Sequence, residues 1–360
     1  MSTGADRFGV ATYRIAMHYP NRLLPFRCAA YLTGTMLCLC LIAPQDLQAA
    51  ELDRCVQERL ASADDTVTVG ELRRQCQQIN GIGVEGSLPK KPGAVEKRME
   101  EERKNVARAF TIMPHRPNFI LPLAYNGNGY NAEHHRASNG DSSYDFDPVE
   151  AQFQISIKSP LAVGLFDNTM DIYAAYTNHS FWQVYNNDIS ASFRETNHEP
   201  EAWVQFNPGW ELFGIVNTSN SFGINHQSNG QSGELSRSWN RLFATFILEF
   251  GDLGLSFTPW YRIPESESDD DNSDITRYLG HYEIGAVYKW DEHTVSLMTR
   301  NAFESDFRRG SVQVSWSFPL GDWPFLKGYI QYYNGYGESL IDYDQHVNRV
   351  GLGLALSDWL

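Results

Sequence analysis

A chain of 360 residues with a net charge of −15 has no general basic face, which argues against a nucleic-acid binder. The 42% hydrophobic content is ordinary and mean hydropathy is negative, and after the first fifty residues no stretch reads as a helical span. Aromatic residues reach 13%, with Tyr and Trp recurring near the ends of apolar alternating runs, which suits either a soluble all-β protein or a barrel with aromatic girdles.

The N-terminal segment reads as an export signal. Arg22 and Arg27 precede an apolar run from Cys28 to about Ala43, Pro44 breaks it, and Ala49-Ala50 supplies small residues for cleavage. The lead before Arg22 is long, so Met17 is a second candidate start. A membrane anchor helix is the competing reading, but the run is short for one. Residues 1–50 are therefore expected to be removed, taking Cys28, Cys38 and Cys40 with them. Cys55 and Cys76 remain, an even pair expected to form a disulfide in an oxidising periplasm; two free buried thiols are the alternative.

Residues 51–80 predict a small helical hairpin. Leu52, Val56 and Leu60, then Val69 and Leu72, fit two short helices around the turn at Asp64-Asp65, with the cysteines placed to staple them. Residues 81–93 carry Gly, Pro and Lys and read as a linker. The charged stretch from Val95 to Arg108 reads as a solvated helix or a flexible tether, so 81–115 forms one connecting region.

From about Asn118 the pattern changes to period two. Twelve candidate strands lie near 119–126, 149–159, 169–184, 196–207, 212–227, 238–250, 253–263, 277–290, 293–301, 309–319, 325–335 and 347–358. Their connections alternate between long and short. A soluble sandwich has no reason to alternate so, whereas an outer-membrane barrel has short periplasmic turns and long outer loops. The expected fold is all-β: a twelve-stranded antiparallel transmembrane barrel over 116–360, with both termini in the periplasm.

The faces fit that barrel. Val350, Leu352, Leu354 and Leu356 share one face of the last strand, and Gly351, Gly353 and Ala355 the other. Val312, Val314, Trp316 and Phe318 alternate with Gln313, Ser315 and Ser317. Pattern alone does not say which face looks outward. The export signal and the many polar residues on the second face favour apolar-out, since backbone groups in lipid must all be paired in a closed sheet.

The segment Ser221-Phe-Gly-Ile-Asn-His-Gln-Ser-Asn-Gly230 holds the chemistry. Phe222 and Ile224 set the apolar parity of the fifth strand, and the same parity carries His226 and Ser228 onto that wall. On the next strand Asn240 begins the row continued by Leu242, Ala244, Phe246 and Leu248. Polar groups on a lipid-facing wall are costly and point to function. Serine needs a neighbouring base to become a nucleophile, and the third polar group can orient that base. A polar hairpin rim is the bland alternative, since Asn, Ser, Gly and His are common loop residues.

These residues resemble the outer membrane phospholipase A family. The likeness rests on Gly223-Ile-Asn-His226-Gln-Ser228-Asn-Gly230, Ser236-Arg-Ser-Trp-Asn240-Arg241, Phe193-Arg-Glu-Thr-Asn197 with Glu199-Pro200, Asp274-Ile-Thr-Arg-Tyr278, and Gly335-Tyr-Gly-Glu-Ser-Leu-Ile-Asp-Tyr343. It covers roughly 116–360. The resemblance implies a calcium-dependent hydrolase of phospholipid and lysophospholipid acyl esters at both glycerol positions, activated by homodimerisation in the Gram-negative outer membrane. It makes Ser228 the nucleophile, His226 the general base and Asn240 its orienting group. The N–H groups of Ser228 and Gly230 would hold the oxyanion. The implied calcium ligands are the Gln231 carbonyl, the Ser236 hydroxyl and Ser190 from a second subunit, and Asn178 falls at a polar interface position. Gln231 stands where the family commonly has Arg, and Asn178 is one carbon shorter than the family's Gln. The run Asp269-Asp270-Asp271-Asn272 is a second calcium candidate, centred on Asp271, against the plainer reading of a solvated loop. A non-enzymatic barrel, channel or structural protein, is the alternative. Twelve strands leave a narrow interior that Arg241, Glu249, Glu283, Lys289 and Arg300 would partly fill.

Overall fold

Period-two alternation becomes strand along nearly the whole second part of the chain. The computed structural model describes residues 92–106 and 111–360, together with Cys55 and Cys76. Cys55 and Cys76 are bonded to each other, both in helical conformation. The export signal, the rest of the expected hairpin and most of the linker lie outside the described residues. The chain divides into a unit of residues 1–90 and one of residues 91–360, and the second is the barrel.

Its strands are β1 (Asn118–Asn126), β2 (Val149–Gly164), β3 (Met170–Trp182), β4 (Phe193–Phe206), β5 (Ile215–Ser228), β6 (Ser238–Phe250), β7 (Leu253–Ile263), β8 (Tyr282–Trp290), β9 (His293–Asn301), β10 (Gly310–Leu320), β11 (Trp323–Gly335) and β12 (Val347–Ser357). Each pairs antiparallel with its sequence neighbours, and β12 pairs with β1, so these twelve strands close into a barrel. Two-residue pieces at Met113–Pro114 and Glu211–Leu212 pair only with β2 and β5. The connections alternate as expected: 165–169, 207–214, 251–252, 291–292 and 321–322 at one end, and 127–148, 183–192, 229–237, 264–281, 302–309 and 336–346 at the other.

Strand ends differ from the sequence reading where local geometry intervenes. The eighth strand, expected from 277, begins at Tyr282. Thr276–Leu279 instead form a helical turn that stops at Gly280, whose φ of 70° favours glycine and whose Cβ would meet the Asn301 carbonyl. The second strand runs past Pro160 to Gly164, because a register shift between Pro160 and Ala162 absorbs the missing donor.

The wall faces apolar side outward. Ile284, Val312, Val350 and Leu352 are exposed, while Ser296, Ser315, Gln331 and Arg349 are buried. Exposed aromatics gather at both rims: Phe166, Phe213, Trp290, Trp323 and Phe325 by the short turns, and Tyr125, Tyr185, Phe193, Tyr261 and Phe307 by the long loops. Bare apolar outside and ions within is the inverse of a soluble barrel and the pattern of one in lipid.

Inside, Arg116 binds Glu199 at 2.8 Å and Glu201 at 3.1 Å, Arg241 binds Glu199 at 2.8 Å, and Arg300 binds Glu283 at 2.8 Å. A helix, α1 (Ala94–Val106), spans the short-turn end. This is the charged stretch read as solvated or tethered. It is tied by Glu102 to Lys158 on β2 at 2.8 Å and by Arg98 to the Asp358 carbonyl after β12 at 2.8 Å. Val95 and Met99 of α1 line a lumen cavity of about 420 Å³. Ion pairs and α1 together weigh against a wide aqueous channel.

The Glu249 carboxylate, at the end of β6, accepts from the Val95 N–H at 2.8 Å and the Glu96 N–H at 3.3 Å. It thus serves the free donors of the first turn of α1 from another element and sits at the positive end of the helix dipole. Glu249→Ala is expected to weaken α1 docking by about 1 kcal/mol. Faster amide exchange confined to 94–106, with barrel strands unchanged, is the measurement that checks it.

At the loop end, the chain after β11 folds into the barrel mouth, with Ser339, Leu340, Ile341 and Asp342 buried. The Leu340 N–H donates to Asn197 Oδ1 and the Ile341 N–H to Glu195 Oε1, both at 3.1 Å. This segment braces β4 from the lumen side, and the site lies on the outer side of that strand and its neighbours.

Candidate active site

Four strands place the polar residues of the wall. Register sets Asn178 of β3 opposite His198 of β4, His198 opposite Ser228 of β5, and Ser228 opposite Ser238 of β6. Two residues along, His226 lies opposite Asn240. Phe222, Ile224 and Leu242 continue the same face and are 47%, 57% and 48% exposed, so the polar group sits at the loop-end edge of an apolar wall.

His226 Nδ1 is 2.9 Å from Asn240 Oδ1. Ser228, two residues on, projects beside His226, and its hydroxyl makes no hydrogen bond to it here. Strand pleat separates i and i+2 side chains, and such bonds often tighten only around a substrate. The structure therefore brings together the expected base and orienting group, with the expected nucleophile as their neighbour.

The turn after Ser228 is organised by buried Asn229. Its Oδ1 accepts from the Gln231 and Arg237 N–H groups, its Nδ2 donates to the Leu235 carbonyl at 2.7 Å, and its own N–H donates to the Arg237 carbonyl. Gly230 then adopts a φ of 65°, and its N–H has no acceptor among the described residues. A rigid turn with one free donor beside Ser228 is what an oxyanion would need.

Of the expected calcium ligands, Gln231 is exposed and Ser236 is half-buried in this turn, and Ser190 is exposed in the separate loop 183–192. The Ser236 hydroxyl donates to Asp271 Oδ2 at 2.5 Å. The acidic run does not converge on one point: Asp270 pairs with Arg262 and Asp269 accepts from Ser266. Asp271 alone turns toward Ser236, so these two candidate ligands, kept apart in the sequence, are hydrogen-bonded to each other. Hydroxyl and carboxylate oxygens are the donor types that suit a hard divalent cation.

A family model for phospholipase A1 matches residues 95–356. The chain belongs to the phospholipase A1 family. It is 33% identical over 283 residues to a phospholipase A1 of Proteus vulgaris, covering 79% of this chain and 93% of that protein. Among solved structures it is similar to outer membrane phospholipase A from Escherichia coli, with a TM-score of 0.64 and 32% identity over 70% of this chain and 100% of that one. It is likewise similar to a Salmonella typhi outer membrane phospholipase dimer with bound calcium, TM-score 0.64 and 33% identity, over 71% and 96% of the two chains. The family match begins within α1, so that helix, left out of the sequence resemblance, is part of the family domain.

Three neighbours of the site escaped the sequence reading. Asn229 was visible only as half of an Asn-Gly turn signature. His198 faces Ser228 across the strand pair; its Nδ1 lies 2.6 Å from the Tyr176 hydroxyl and 3.5 Å from Asn178 Nδ2. Parity alone would have put His198 on the wall. Glu265, in the loop after β7, had no signal at all, because nothing local says where an irregular loop returns. It accepts from Asn240 Nδ2 at 2.7 Å.

Proposed function

We propose that this family member is a calcium-dependent outer-membrane phospholipase that hydrolyses acyl esters of phospholipids and lysophospholipids, at either glycerol position, and works as a homodimer. The observation that supports it most is the His226–Asn240 hydrogen bond beside Ser228 on the lipid-facing wall. A substrate held in the bilayer reaches such a site without leaving lipid.

Ser228 Oγ attacks the ester carbonyl while His226 Nε2 takes its proton, and Asn240 Oδ1 holds the Nδ1–H of the imidazolium that forms. The oxyanion is received by the N–H groups of Ser228 and Gly230. His226 then protonates the departing glycerol oxygen, leaving an acyl-serine that water hydrolyses by the same proton route in reverse. The Gln231 carbonyl and Ser236 hydroxyl, with Asp271 beside Ser236 and Ser190 of the partner subunit, would hold calcium, which supplies positive charge near the developing oxyanion. Asn178, in register with His198 and Ser228, lies on the wall that meets the second copy. The short-turn end, with both barrel termini and α1, faces the periplasm.

Refolded protein is expected to release fatty acid from phospholipid micelles in calcium and to lose at least about 100-fold in EDTA, the scale of removing transition-state charge stabilisation. Sedimentation in detergent should show calcium and substrate shifting monomer toward dimer. Full activity in EDTA, from a monomer, would remove calcium and the dimer from the proposal.

A further inference from the structure

We propose that Glu265 is a positioning residue of the active site, fixing which way the Asn240 amide faces and through it the proton position on His226. This deepens the Ser228–His226–Asn240 reading and rests on it. Three residues stand in line: Glu265 Oε1 is 2.7 Å from Asn240 Nδ2, and Asn240 Oδ1 is 2.9 Å from His226 Nδ1.

An asparagine is an ambiguous partner for a histidine. Its amide presents a carbonyl on one side and an NH₂ on the other, and a half-turn exchanges them. With the carbonyl toward Nδ1, that nitrogen must carry the proton and Nε2 is left as the base. With the NH₂ toward Nδ1, that nitrogen must accept, the proton moves to Nε2, and Ser228 faces a group that cannot take its proton. An aspartate removes this choice because both its oxygens accept. Glu265 removes it for Asn240. An ionised carboxylate only accepts, so the amide edge beside it must be the NH₂, and the carbonyl is then turned to His226.

Burial strengthens the effect. Asn240 and Glu265 are both partly covered, and the hydrogen bond has a charged acceptor at the edge of an apolar wall, where it is stronger than one in water. Other charged side chains nearby are directed elsewhere. Arg241 turns into the lumen toward Asn225 and Glu199, and Arg262 pairs with Asp270. His198 lies across from Ser228 and contacts Tyr176 and Asn178 rather than Asn240.

The test is a double-mutant cycle on refolded, calcium-loaded protein, reading kcat and KM for micellar phospholipid. Glu265→Ala should lower kcat about tenfold with KM little changed, which is the loss expected for one hydrogen bond to a charged group. Glu265→Gln keeps an acceptor oxygen and should stay within about threefold of the parent. In an Asn240→Ala background, Glu265→Ala should cost nothing more, because the amide it orients is gone. In Asn240→Asp the two carboxylates would face each other with no donor between them, so there Glu265→Ala should raise kcat rather than lower it. A tenfold loss that persists undiminished in both Asn240 backgrounds would mean Glu265 acts only on loop structure, and an unchanged kcat in Glu265→Ala would also overturn the assignment. Ser228→Ala run in parallel separates the two levels: if it stays active, the reading of the site fails; if it is inactive while the cycle shows no coupling, only the role of Glu265 fails.

Discussion

Ser228→Ala is expected to leave a folded barrel that releases fatty acid from phospholipid micelles at least about 10⁴-fold more slowly than the parent chain. The size follows from what is lost. Without Oγ no acyl-serine forms, and only the binding surface and the oxyanion donors remain to assist direct attack by water. The fold should survive, because the Ser228 hydroxyl joins no hydrogen bond and the register opposite His198 and Ser238 does not depend on the side chain. An unchanged unfolding midpoint in detergent checks that. His226→Ala should cost a similar factor, and the double variant no more than either alone, because nucleophile and base act as one unit. Multiplying losses would show that the two residues serve separate steps. Activity that survives Ser228→Ala would move the nucleophile elsewhere on the barrel while leaving the family membership intact.

The parts of this molecule legible in the sequence are those governed by a two-residue period. Phe222, Ile224, His226 and Ser228 share a face because a strand alternates, and Asn240 joins them because it has the parity of the outward apolar row Leu242, Ala244, Phe246 and Leu248 on β6. Strand existence and order followed from the same rule. What period two does not encode is where irregular chain returns. The loop after β7 carries Glu265 to Asn240 and Asp271 to Ser236 within seven residues, and neither contact has a local signature. The mouth segment Gly335–Tyr343 stood out as a motif, but nothing in its spacing says that Leu340 and Ile341 turn into the lumen. The stretch 95–108 looked solvated because most of its residues are charged. Most of those charges are exposed on α1 as a solvated helix would have them, but Glu102 and Arg98 find partners on the barrel rim, Lys158 and the Asp358 carbonyl, which only the closed ring brings within reach.

Arg194→Met is expected to destabilise the barrel by about 3–5 kcal/mol at neutral to alkaline pH, the cost of removing one partner from a buried ion pair. Arg194 is 1% exposed as a side chain and holds Glu150 through two hydrogen bonds, at 2.9 and 3.0 Å, and Asp342 at 2.6 Å. Methionine fills similar volume, so the loss is chiefly of charge; it leaves two carboxylates in the barrel mouth with Gln152 and Gln183 on Glu150 and no cation between them. Burial already pushes the Asp342 carboxyl up to about 6, against the pull of Arg194. Without that cation its value rises further, while in the unfolded chain it returns to about 4. A carboxyl raised on folding contributes stability that is full below its unfolded value and lost as pH rises through its folded value. The penalty of Arg194→Met should therefore be largest near pH 8 and shrink toward pH 5, as Asp342 takes a proton. Urea midpoints at the two pH values measure this, and equal midpoints for variant and parent would show that the mouth does not depend on the cation. Amide exchange should quicken first at Ser339, Leu340 and Ile341, which the Arg194 network and the β4 side chains Glu195 and Asn197 hold in place. Because the outer side of that strand carries His198 opposite Ser228, a loosened mouth should also lower kcat, coupling lumen packing to chemistry on the lipid side.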